Sequence, residues 1–238
     1  MTNYLITGTS SGIGFAIARE YLETGARVFG ISRRYHNRLR PYANYSHLSF
    51  DLTEPGLLTE DVLRKLTGKV RRLDQVILNA GMLTPIGDMR ETSLEEIYRI
   101  MNVNVWANKV LIDRLSKLVP EIYQVVAISS GAAVSGSRGW NVYSISKAAF
   151  KMMIQLYAKE LPDTHFSSIA PGVVDTAMQA HIAGLKKDDR FRVVERLTQM
   201  RRNNEMTSPG ESALRLIEAM TAAIQKESGV FLDVREME

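Results

Sequence analysis

A tyrosine and a lysine lie four positions apart in the chain, at Tyr143 and Lys147. On a helix such a pair shares one face, so the phenol and the ammonium would be neighbours. A free phenol has a pKa of about 10 and is a weak acid catalyst near neutrality, but a nearby positive charge lowers that pKa by roughly 1–3 units. The pair therefore predicts a general acid–base centre. With 9 tyrosines in 238 residues the spacing also arises by chance, so its place in the chain decides how much it means.

The pair opens a helical pattern soon after an apolar run that ends at Ser129 and Ser130. Parallel sheets bind ligands beyond the carboxyl ends of their strands. Other apolar runs also end in polar or glycine-containing turns, at Asn79-Ala80-Gly81 and Pro171-Gly172. We expect all of these turns to meet Ser130 and Tyr143 in one crevice. Each could equally be a helix cap or a plain turn, and it is their shared position that favours a functional site.

The first turn of the chain is a glycine loop, Gly8-Thr9-Ser10-Ser11-Gly12-Ile13-Gly14. It lies between an apolar run and a helical pattern, as the phosphate loop of a dinucleotide-binding unit does. Glycines permit a sharp turn and the close approach of a pyrophosphate, and the helix N-terminus offers free N–H groups and the positive end of its dipole. The alternative is a glycine turn that binds nothing, but the strand–loop–helix context favours dinucleotide binding.

The residues after the second apolar run indicate which dinucleotide binds. An NAD site carries a carboxylate about 20 residues beyond the loop, where it holds the ribose 2′-hydroxyl. Here that position is Arg33, and no Asp or Glu occurs over residues 24–50. Five arginines occur there instead, Arg27, Arg33, Arg34, Arg38 and Arg40. A planar guanidinium suits a 2′-phosphate, so the segment favours NADP(H), although solvated basic loops are common.

Behind these turns, short apolar runs alternate with longer helical patterns along the whole chain. This alternation predicts an α/β fold with a Rossmann-like, doubly wound sheet of about seven mostly parallel strands and helices on both faces. No repeat or linker divides the sequence, so we expect a single NADP-binding domain over residues 1–238. The predicted strands are residues 4–7, 27–32, 48–50, 74–78, 123–129, 165–170 and 230–233, and the predicted helices are residues 13–23, 55–66, 93–118, 142–161 and 213–224.

Two segments depart from this alternation. Residues 34–46 stand where a crossover helix is expected, but Pro41 and the short length leave room for little more than one turn. Residues 177–204 are additional material before the last helical pattern and carry charges of both signs. We expect this second segment to be an insertion that forms a lid over the substrate.

Composition excludes several other classes of protein. The chain has no cysteine, which rules out disulfides, thiolate metal sites and a cysteine nucleophile, and its 4 histidines are too scattered for a metal cluster. A net charge of +4 is too small for a nucleic-acid footprint. The longest uncharged stretch, residues 1–18, is rich in Ser, Thr and Gly and lacks the basic residues that begin a signal peptide. We therefore expect a soluble, cytoplasmic protein with no metal and with neither a nucleic acid nor a membrane as partner.

Seven motifs of the chain resemble those of the short-chain dehydrogenase/reductase family, in the same order and over almost the whole length. They are residues 7–14, Asp51-Leu52-Thr53, Asn79-Ala80-Gly81, Asn104-Val105, Ser129-Ser130, Tyr143-x-x-x-Lys147 and residues 171–176. The resemblance implies Tyr143 as general acid/base, Ser130 as hydrogen-bond donor to the substrate carbonyl, and Lys147 on the nicotinamide ribose. It also implies that Asn104 holds a water of the proton relay. The family's spacing between serine and tyrosine selects Ser130 over Ser129.

The same resemblance implies the cofactor contacts. Asp51 would meet the adenine, Asn79 the adenosine side and Thr176 the carboxamide end. Arg33 stands at the position that marks NADP-preferring members. The residues assigned to NADP(H) are Gly8, Ser10, Ser11, Gly12, Ile13, Gly14, Arg33, Arg34, Asp51, Leu52, Asn79, Ala80, Gly81, Tyr143, Lys147, Pro171, Gly172, Val174 and Thr176.

Within the family, residues 31–34, 172–176 and 228–233 are similar to the sepiapterin reductase branch, a bacterial relative of which reduces aromatic diketones such as benzil. The implied function is NADPH-dependent reduction of a ketone or diketone. Two alternatives stay open. One is a 3-oxoacyl-thioester reductase, although the C-terminus lacks the Gly-Gly pair typical of those enzymes; its acidic acyl carrier could dock on Lys186, Lys187, Arg190 and Arg192. The other is a non-catalytic NADP-binding regulator, although such regulators usually lose the tyrosine or the lysine.

The small-molecule carbonyl substrate is expected to be bulky or aromatic, because the residues predicted around it are apolar. Asp233 is the one polar candidate and stands where the resembling sepiapterin reductases hold a pterin. Trp140 is equally well explained as a core residue. The residues assigned to the substrate are Ser130, Trp140, Met82, Val173, Met178 and Asp233, with Leu83, Ala132 and Ala133 also expected near the nicotinamide.

The two long helical patterns, residues 93–118 and 142–161, carry apolar residues on more than one face. A helix that packs only on a sheet needs one apolar stripe, so this wide coverage predicts a second buried surface. The family resemblance implies that both helices pair with their copies in a second chain. We therefore expect a homo-oligomer, a dimer at least.

Overall fold

In the computed structural model, which describes residues 1–237, seven strands form one sheet in which every pair of neighbours is parallel. The strand order is β3-β2-β1-β4-β5-β6-β7, so the chain winds outward from β1 first in one direction and then in the other. The doubly wound α/β fold expected from the sequence is confirmed. The strands are β1 (Asn3–Thr7), β2 (Arg27–Ser32), β3 (Tyr45–Ser49), β4 (Arg72–Leu78), β5 (Glu121–Ile128), β6 (His165–Ala170) and β7 (Val230–Asp233).

Helices cover both faces of the sheet, and each face has its own apolar core. Successive side chains of a strand point to opposite faces, so Leu5 packs with Leu111 and Phe150 on one side while Ile6 packs with Ile17 on the other. This burial on both faces explains why the strands are continuous apolar runs. The helices are α1 (Gly12–Glu23), α2 (Glu60–Thr67), α3 (Leu94–Met101), α4 (Ala107–Leu118), α5 (Asn141–Glu160), α6 (Ala177–Ala183), α7 (Arg192–Arg202) and α8 (Pro209–Ala223).

Side-chain caps set the starts of two helices, and α8 starts at Pro209, four residues before the predicted helix. Ser93 with Glu96, and Ser208 with Glu211, form complete capping boxes at the starts of α3 and α8. In each box the serine side chain accepts the N–H of the glutamate, and the glutamate side chain accepts the N–H of the serine. The crossover over residues 34–46 contains a single 3₁₀ turn, Asn37–Leu39, as its length requires.

The predicted helix over residues 93–118 is continuous in the structure from Leu94 to Leu118, but it is not α-helical throughout. Residues Asn102–Trp106 form a π turn that separates α3 from α4. Within this turn the side chain of Asn104 is buried and bonds the backbone of Met82. Wider turns of this kind occur where a helix accommodates a local, often functional, demand. The apolar periodicity continues through the turn, so the sequence pattern does not reveal it.

Two further boundaries also differ from the predictions. The second helix starts at Glu60, because Pro55–Leu57 form a 3₁₀ turn and Thr59 Oγ1 caps the helix by accepting the N–H of Val62. The third strand runs from Tyr45 to Ser49 and pairs along its whole length with β2. Polar side chains alternate along its first residues, so an analysis based on apolar runs predicted only residues 48–50.

Residues 177–204 contain α6 and α7, which pack on each other and on the turns after β4 and β5. Their side chains form a separate apolar cluster of Ile182, Phe191, Val193, Val194 and Leu197, against which Leu83, Ile86, Trp140, Val173 and Met178 are packed. The segment is therefore held at the edge of the sheet where the strands end.

Among residues 1–237, none of the helices has the length and apolar character needed to cross a membrane. Over the same residues, no group of His, Cys, Asp and Glu side chains is arranged to hold a metal ion.

Candidate active site

The carboxyl ends of the central strands open onto one crevice of about 520 Å³. All the turns that the sequence analysis singled out contribute to its walls. Every residue assigned to NADP(H) lines it except Gly14, which lies in α1 beneath Asn79. The lining residues that the sequence analysis did not assign are Ile31, Ser32, Phe50, Thr53, Arg99, Val103, Ile128, Ser129, Ala177 and Gln179.

The glycine loop is shaped by the close approach of Asn79. A Cβ at Gly8 would lie 2.7 Å from Asn79 Nδ2, and a Cβ at Gly14 would overlap the same nitrogen. Asn79 Nδ2 donates to the carbonyl of Thr7 at 2.9 Å, and Thr7 Oγ1 accepts the N–H groups of Asn79 and Ala80 at 3.0 and 2.9 Å. The glycines therefore let the turn after β4 lock onto the loop after β1.

The first turn of α1 presents unsatisfied N–H groups beside the crevice. Ser11 is its N-cap residue and makes no side-chain cap hydrogen bond, and the turn contains no acidic residue. Gly12 has φ +59, and a Cβ there would lie 3.3 Å from Thr176 Cγ2, so the turn after β6 closes onto the loop. Free N–H groups and the positive end of the helix dipole make this end suitable for an anion.

The far end of the crevice is strongly cationic. Arg33 and Arg34 follow β2, and both are exposed crevice residues, as is Arg99 from α3. Across from them, the N–H and hydroxyl of Thr53 both donate to Asp51 Oδ1 at 3.0 Å. These hydrogen bonds, together with the charges of Arg33 and Arg99, hold the pKa of Asp51 below its usual value. This end therefore pairs three guanidinium groups with one ionised carboxylate.

The helix that carries Tyr143 and Lys147 begins at a strained residue. Asn141 has φ +25, a region that asparagine tolerates better than most residues. Its Oδ1 accepts the hydroxyl of Thr84 at 2.9 Å and the N–H of Val142 at 2.8 Å. Its Nδ2 donates to Thr92 Oγ1 at 2.9 Å. These contacts anchor the start of α5 to the segment after β4, two residues before Tyr143.

The Tyr143 phenol is buried at the crevice wall next to Ser130. The sequence analysis expected Lys147 to lower the pKa of Tyr143, but burial raises it, and only the nearby Ser130 hydroxyl opposes part of that rise. The ring of Trp140 lies 5.5 Å away, measured between centroids. The phenol therefore keeps its proton at neutral pH and can donate it to an acceptor in the crevice.

Lys147 lies one helical turn beyond Tyr143, with Nζ 6.0 Å from the centre of the tyrosine ring. Its ammonium donates to the carbonyl of Ile128 at 2.9 Å. Burial lowers the pKa of Lys147 to about 8. An ammonium has three N–H donors. Within residues 1–237, Lys147 Nζ makes only this one hydrogen bond. Hydroxyl groups of a bound ligand would stabilise the charged form.

Asn104 lies behind Tyr143 and Lys147 and does not line the crevice. Its Oδ1 accepts the N–H of Met82 at 2.9 Å, and its Nδ2 donates to the Met82 carbonyl and to Ser146 Oγ, each at 3.0 Å. Ser146 in turn donates to the carbonyl of Tyr143 at 2.8 Å. The side chain of Asn104 thus ties the catalytic helix to the turn after β4.

The residues assigned to the substrate fall into three groups. Ser130, Met82 and Met178 line the crevice. Trp140 and Val173 do not; they pack in the apolar cluster of residues 177–204. Asp233 lies outside the crevice lining, where Nε and Nη2 of Arg235 donate to its two oxygens at 2.9 and 2.5 Å. A pterin amine would have to displace that guanidinium.

Three side chains at the site were missed by the sequence analysis. Asn141 anchors α5, and its only signal was that asparagine tolerates positive φ. Arg99 and Gln179 line the crevice, and Gln179 Oε1 is buried without a hydrogen-bond partner among the described residues. Nothing in the local sequence marked these two, because they reach the crevice only through the packing of α3 and α6.

Of the four basic residues considered for docking an acidic carrier, Lys187 and Arg190 are paired with acids. Arg190 contacts Asp188, Asp88 and Glu91, and Lys187 contacts Asp189 and Glu195. The ion pairs therefore neutralise part of this basic surface, and among residues 1–237 Lys186 and Arg192 are left without one.

Comparison with known proteins agrees with this geometry. A sequence model of the family described as short chain dehydrogenase matches residues 2–186. The benzil reductase ((S)-benzoin forming) of Bacillus subtilis is 32% identical over 244 residues, which cover 99% of each chain. A protein of Saccharomyces cerevisiae that bears the same enzyme name is 30% identical over 223 residues, covering 86% of this chain and 84% of that one.

Solved structures share the fold. A short-chain dehydrogenase/reductase from Saccharomyces cerevisiae superposes with a TM-score of 0.87 at 21% sequence identity, covering 99% of this chain and 97% of that chain. At this level of identity the likeness establishes the fold alone.

Proposed function

The chain belongs to the short-chain dehydrogenase family and is an oxidoreductase that acts on alcohol or carbonyl groups, and we propose that it is an NADPH-dependent reductase of bulky or aromatic ketones and diketones. The observation that carries the proposal is the arrangement of Ser130, Tyr143 and Lys147. A buried phenol that retains its proton lines the crevice together with the Ser130 hydroxyl and has an ammonium one helical turn away. This arrangement suits proton donation to a carbonyl oxygen.

The residues present fit a nicotinamide dinucleotide. The unsatisfied N–H groups at the start of α1 would hold its pyrophosphate, and the ammonium of Lys147, which has donors to spare, would bond ribose hydroxyls. Thr176 would hold the carboxamide end. Bound NADPH would supply the hydride for carbonyl reduction.

Arg33 and Arg34 support NADP(H) rather than NAD(H). They directly follow β2, are exposed, and line the crevice. No carboxylate occurs over residues 24–50 to hold a free 2′-hydroxyl. A guanidinium matches the geometry of a phosphate and can bond it with two parallel N–H groups.

The proton chemistry follows from the surroundings of Tyr143. Its Oη donates a proton to the substrate oxygen as negative charge develops there, while Ser130 donates a hydrogen bond to the same oxygen. Burial keeps the proton on the phenol before the reaction, and the charge of Lys147 favours the phenolate afterwards. Asn104 holds the backbone around this centre and is proposed to bind the water that returns a proton to Tyr143.

A bulky apolar substrate is supported by the side chains near the catalytic groups. Met82 and Met178 line the crevice, and methionine adapts to irregular ligands. Residues 177–204, which lie against them, are proposed as a substrate lid. Relatives about 30% identical are named benzil reductases. The ion pairs of Lys187 and Arg190 weaken the case for an acidic acyl carrier.

A homodimer formed through α3, α4 and α5 is part of this proposal. Large apolar side chains on α3, the π turn and α5 are 46–65% exposed, namely Leu94, Tyr98, Trp106, Ile145, Met152 and Leu156. Exposed apolar surface of this extent is typical of an interface. Light scattering at micromolar concentration is expected to give the mass of a dimer or larger oligomer, and a monomeric mass would contradict the interface.

The test of the activity is a screen of NADPH oxidation with benzil and with a 3-oxoacyl thioester, repeated with NADH. We expect turnover of benzil, preference for NADPH, and little turnover of the thioester. Tyr143→Phe should lower kcat by about 10²–10⁴-fold, as loss of a general acid does, while NADPH still binds. The exposed Tyr123 provides the matched control, Tyr123→Phe. Turnover of the thioester alone would favour the acyl-thioester alternative, and NADPH binding without any turnover would favour a regulator.

A further inference from the structure

A chain of hydroxyl groups lies beneath the two arginines. Thr9 Oγ1 contacts Tyr45 Oη at 2.9 Å and Ser32 Oγ at 3.3 Å. Ser32 Oγ also contacts His47 Nε2 at 3.0 Å and donates to the carbonyl of Arg34 at 2.9 Å. Thr9, Ser32 and Tyr45 are all buried. The chain therefore connects strand β3 both to the glycine loop and to the residues that follow β2.

The hydrogen atoms of this chain have one consistent arrangement. Ser32 has a single hydroxyl hydrogen, which it donates to Arg34, so it accepts from Thr9 and from His47. Thr9 then accepts from Tyr45, whose phenol keeps its proton because burial raises its pKa to about 12. Burial also lowers the pKa of His47, which leaves a neutral ring with its N–H on Nε2. Donation therefore runs from both Tyr45 and His47 towards the Arg34 carbonyl.

Gly30 provides the space for this chain. It lies in the middle of β2, where it pairs with His47 in the strand register. A Cβ at Gly30 would overlap the Tyr45 hydroxyl and lie 2.7 Å from Thr9 Oγ1. Glycine weakens a strand interior and often marks a close approach of other groups. Here the group that approaches is the phenol at the start of the chain.

The same two β3 residues also support the turn from its side. The ring of Tyr35 packs edge-on against Tyr45 and His47, with centroids 5.7 and 5.0 Å apart. Ser49 Oγ donates to the carbonyl of Arg33 at 3.0 Å. The backbone carbonyls of both arginines are thus held by hydroxyl groups, while their side chains remain exposed at the crevice.

We propose that Tyr45 and His47 are positioning residues for cofactor selectivity, which hold the Arg33-Arg34 turn in the conformation that receives the 2′-phosphate of NADP(H). The inference rests on the proposed NADPH dependence. Neither residue lines the crevice, so neither would contact the nucleotide itself. A turn that is already ordered loses less freedom on binding, which raises affinity. A nucleotide without a 2′-phosphate offers the arginines no phosphate to bind, so its affinity does not depend on the hydrogen-bond chain beneath them.

The test is calorimetric titration of the full-length protein with adenosine 2′,5′-bisphosphate and with 5′-AMP, which lacks the 2′-phosphate. His47→Phe keeps an aromatic ring for Tyr35 and removes the N–H donor, and Tyr45→Phe removes only the hydroxyl. Each variant is expected to raise the Kd of the bisphosphate about three- to tenfold, the effect of one lost buried hydrogen bond, and that of 5′-AMP by less than about twofold.

Two further variants separate this role from general damage to the fold. His47→Gln keeps an N–H near the position of Nε2 and should bind the bisphosphate like the unmodified protein. Tyr42→Phe is the matched control, because the Tyr42 hydroxyl donates to the exposed Glu23 and takes no part in the hydrogen-bond chain. Equal losses for both nucleotides, or unchanged bisphosphate binding in both phenylalanine variants, would refute the positioning role. If the unmodified protein binds both nucleotides equally well, the proposed NADPH preference fails, and the positioning role fails with it.

Discussion

Replacing Lys147 by methionine should make the protein more stable at neutral pH, although it removes a side chain proposed to act in catalysis. The ammonium is buried, and burial lowers its pKa from 10.5 to about 8. One pKa unit corresponds to 1.36 kcal/mol, so holding this charge in the folded state costs roughly 3 kcal/mol below pH 8. Methionine has a similar length and no charge. It leaves the Ile128 carbonyl without its 2.9 Å hydrogen bond, a loss of about 1–2 kcal/mol.

The sign of the pH dependence follows from proton linkage. Between pH 8 and 10.5 the unfolded chain keeps a proton on Lys147 that the folded state has lost. Stability therefore rises with pH over this window in the unmodified protein. In Lys147→Met this contribution is absent. The variant should be more stable than the unmodified protein by roughly 1–2 kcal/mol at pH 7 and less stable by about 1 kcal/mol near pH 10.5.

The assay is denaturant unfolding of the cofactor-free protein at several pH values from 7 to 10.5, with the difference in the free energy of unfolding plotted against pH. Lys159→Met, at an exposed position of the same helix, is the matched control and should show no such trend. A difference between Lys147→Met and the unmodified protein that is independent of pH would refute the argument that burial of this ammonium destabilises the fold. If Lys147→Met loses turnover and is more stable at pH 7, then the same buried ammonium both destabilises the fold and is required for turnover.

Three other substitutions test separate parts of the structure. Arg33→Ala should raise the Kd of NADPH about 10- to 150-fold, the equivalent of a lost hydrogen bond to a charged group, and leave NADH binding nearly unchanged in fluorescence titrations. Gly139→Ala should destabilise the protein by about 1–3 kcal/mol and speed limited proteolysis within residues 177–204. The reason is that Gly139 has φ +103 and a Cβ there would lie 2.9 Å from Phe191. Gly136→Ala, with open space around it, should change neither the stability nor the rate of proteolysis. Asp233→Ala should cost about 1–3 kcal/mol at pH 7 without raising the KM for benzil. The neighbouring guanidinium holds the pKa of Asp233 below its usual value, so this deficit should shrink as pH falls below about 4 in unfolding experiments.

The fold class was predictable from the sequence because its signals are local. Apolar runs separated by helical periodicity specify a parallel sheet covered on both faces. The capping boxes at Ser93 and Ser208 involve residues three positions apart, so both patterns are visible in the sequence alone. The same holds for the spacing of Tyr143 and Lys147 within one helical turn. The start of strand β3 and the π turn were missed because polar alternation and a one-residue widening leave no mark on apolar periodicity.

Only the tertiary structure decided the surroundings of each candidate group. Arg190 stands 102 positions from Asp88, and the ion pair between them, which weakens a basic docking surface, exists only because the segment after β4 meets residues 177–204. Asp233 was a plausible ligand anchor by position, but in the folded chain its carboxylate is held by Arg235. The pKa values of Tyr143 and Lys147 depend on burial by residues from the whole chain.

The sequence by itself therefore determined which chemical groups are present and on which edge of the sheet they stand. Short sequence patterns specify the order of strands and turns, and the parallel direction of the strands then brings the turns that follow them to one edge of the sheet. What those groups can do depends on burial and on hydrogen bonds between residues far apart in the chain. The Tyr45–Thr9–Ser32–His47 chain joins three separate strand and loop segments and forms only when β1, β2 and β3 are assembled side by side.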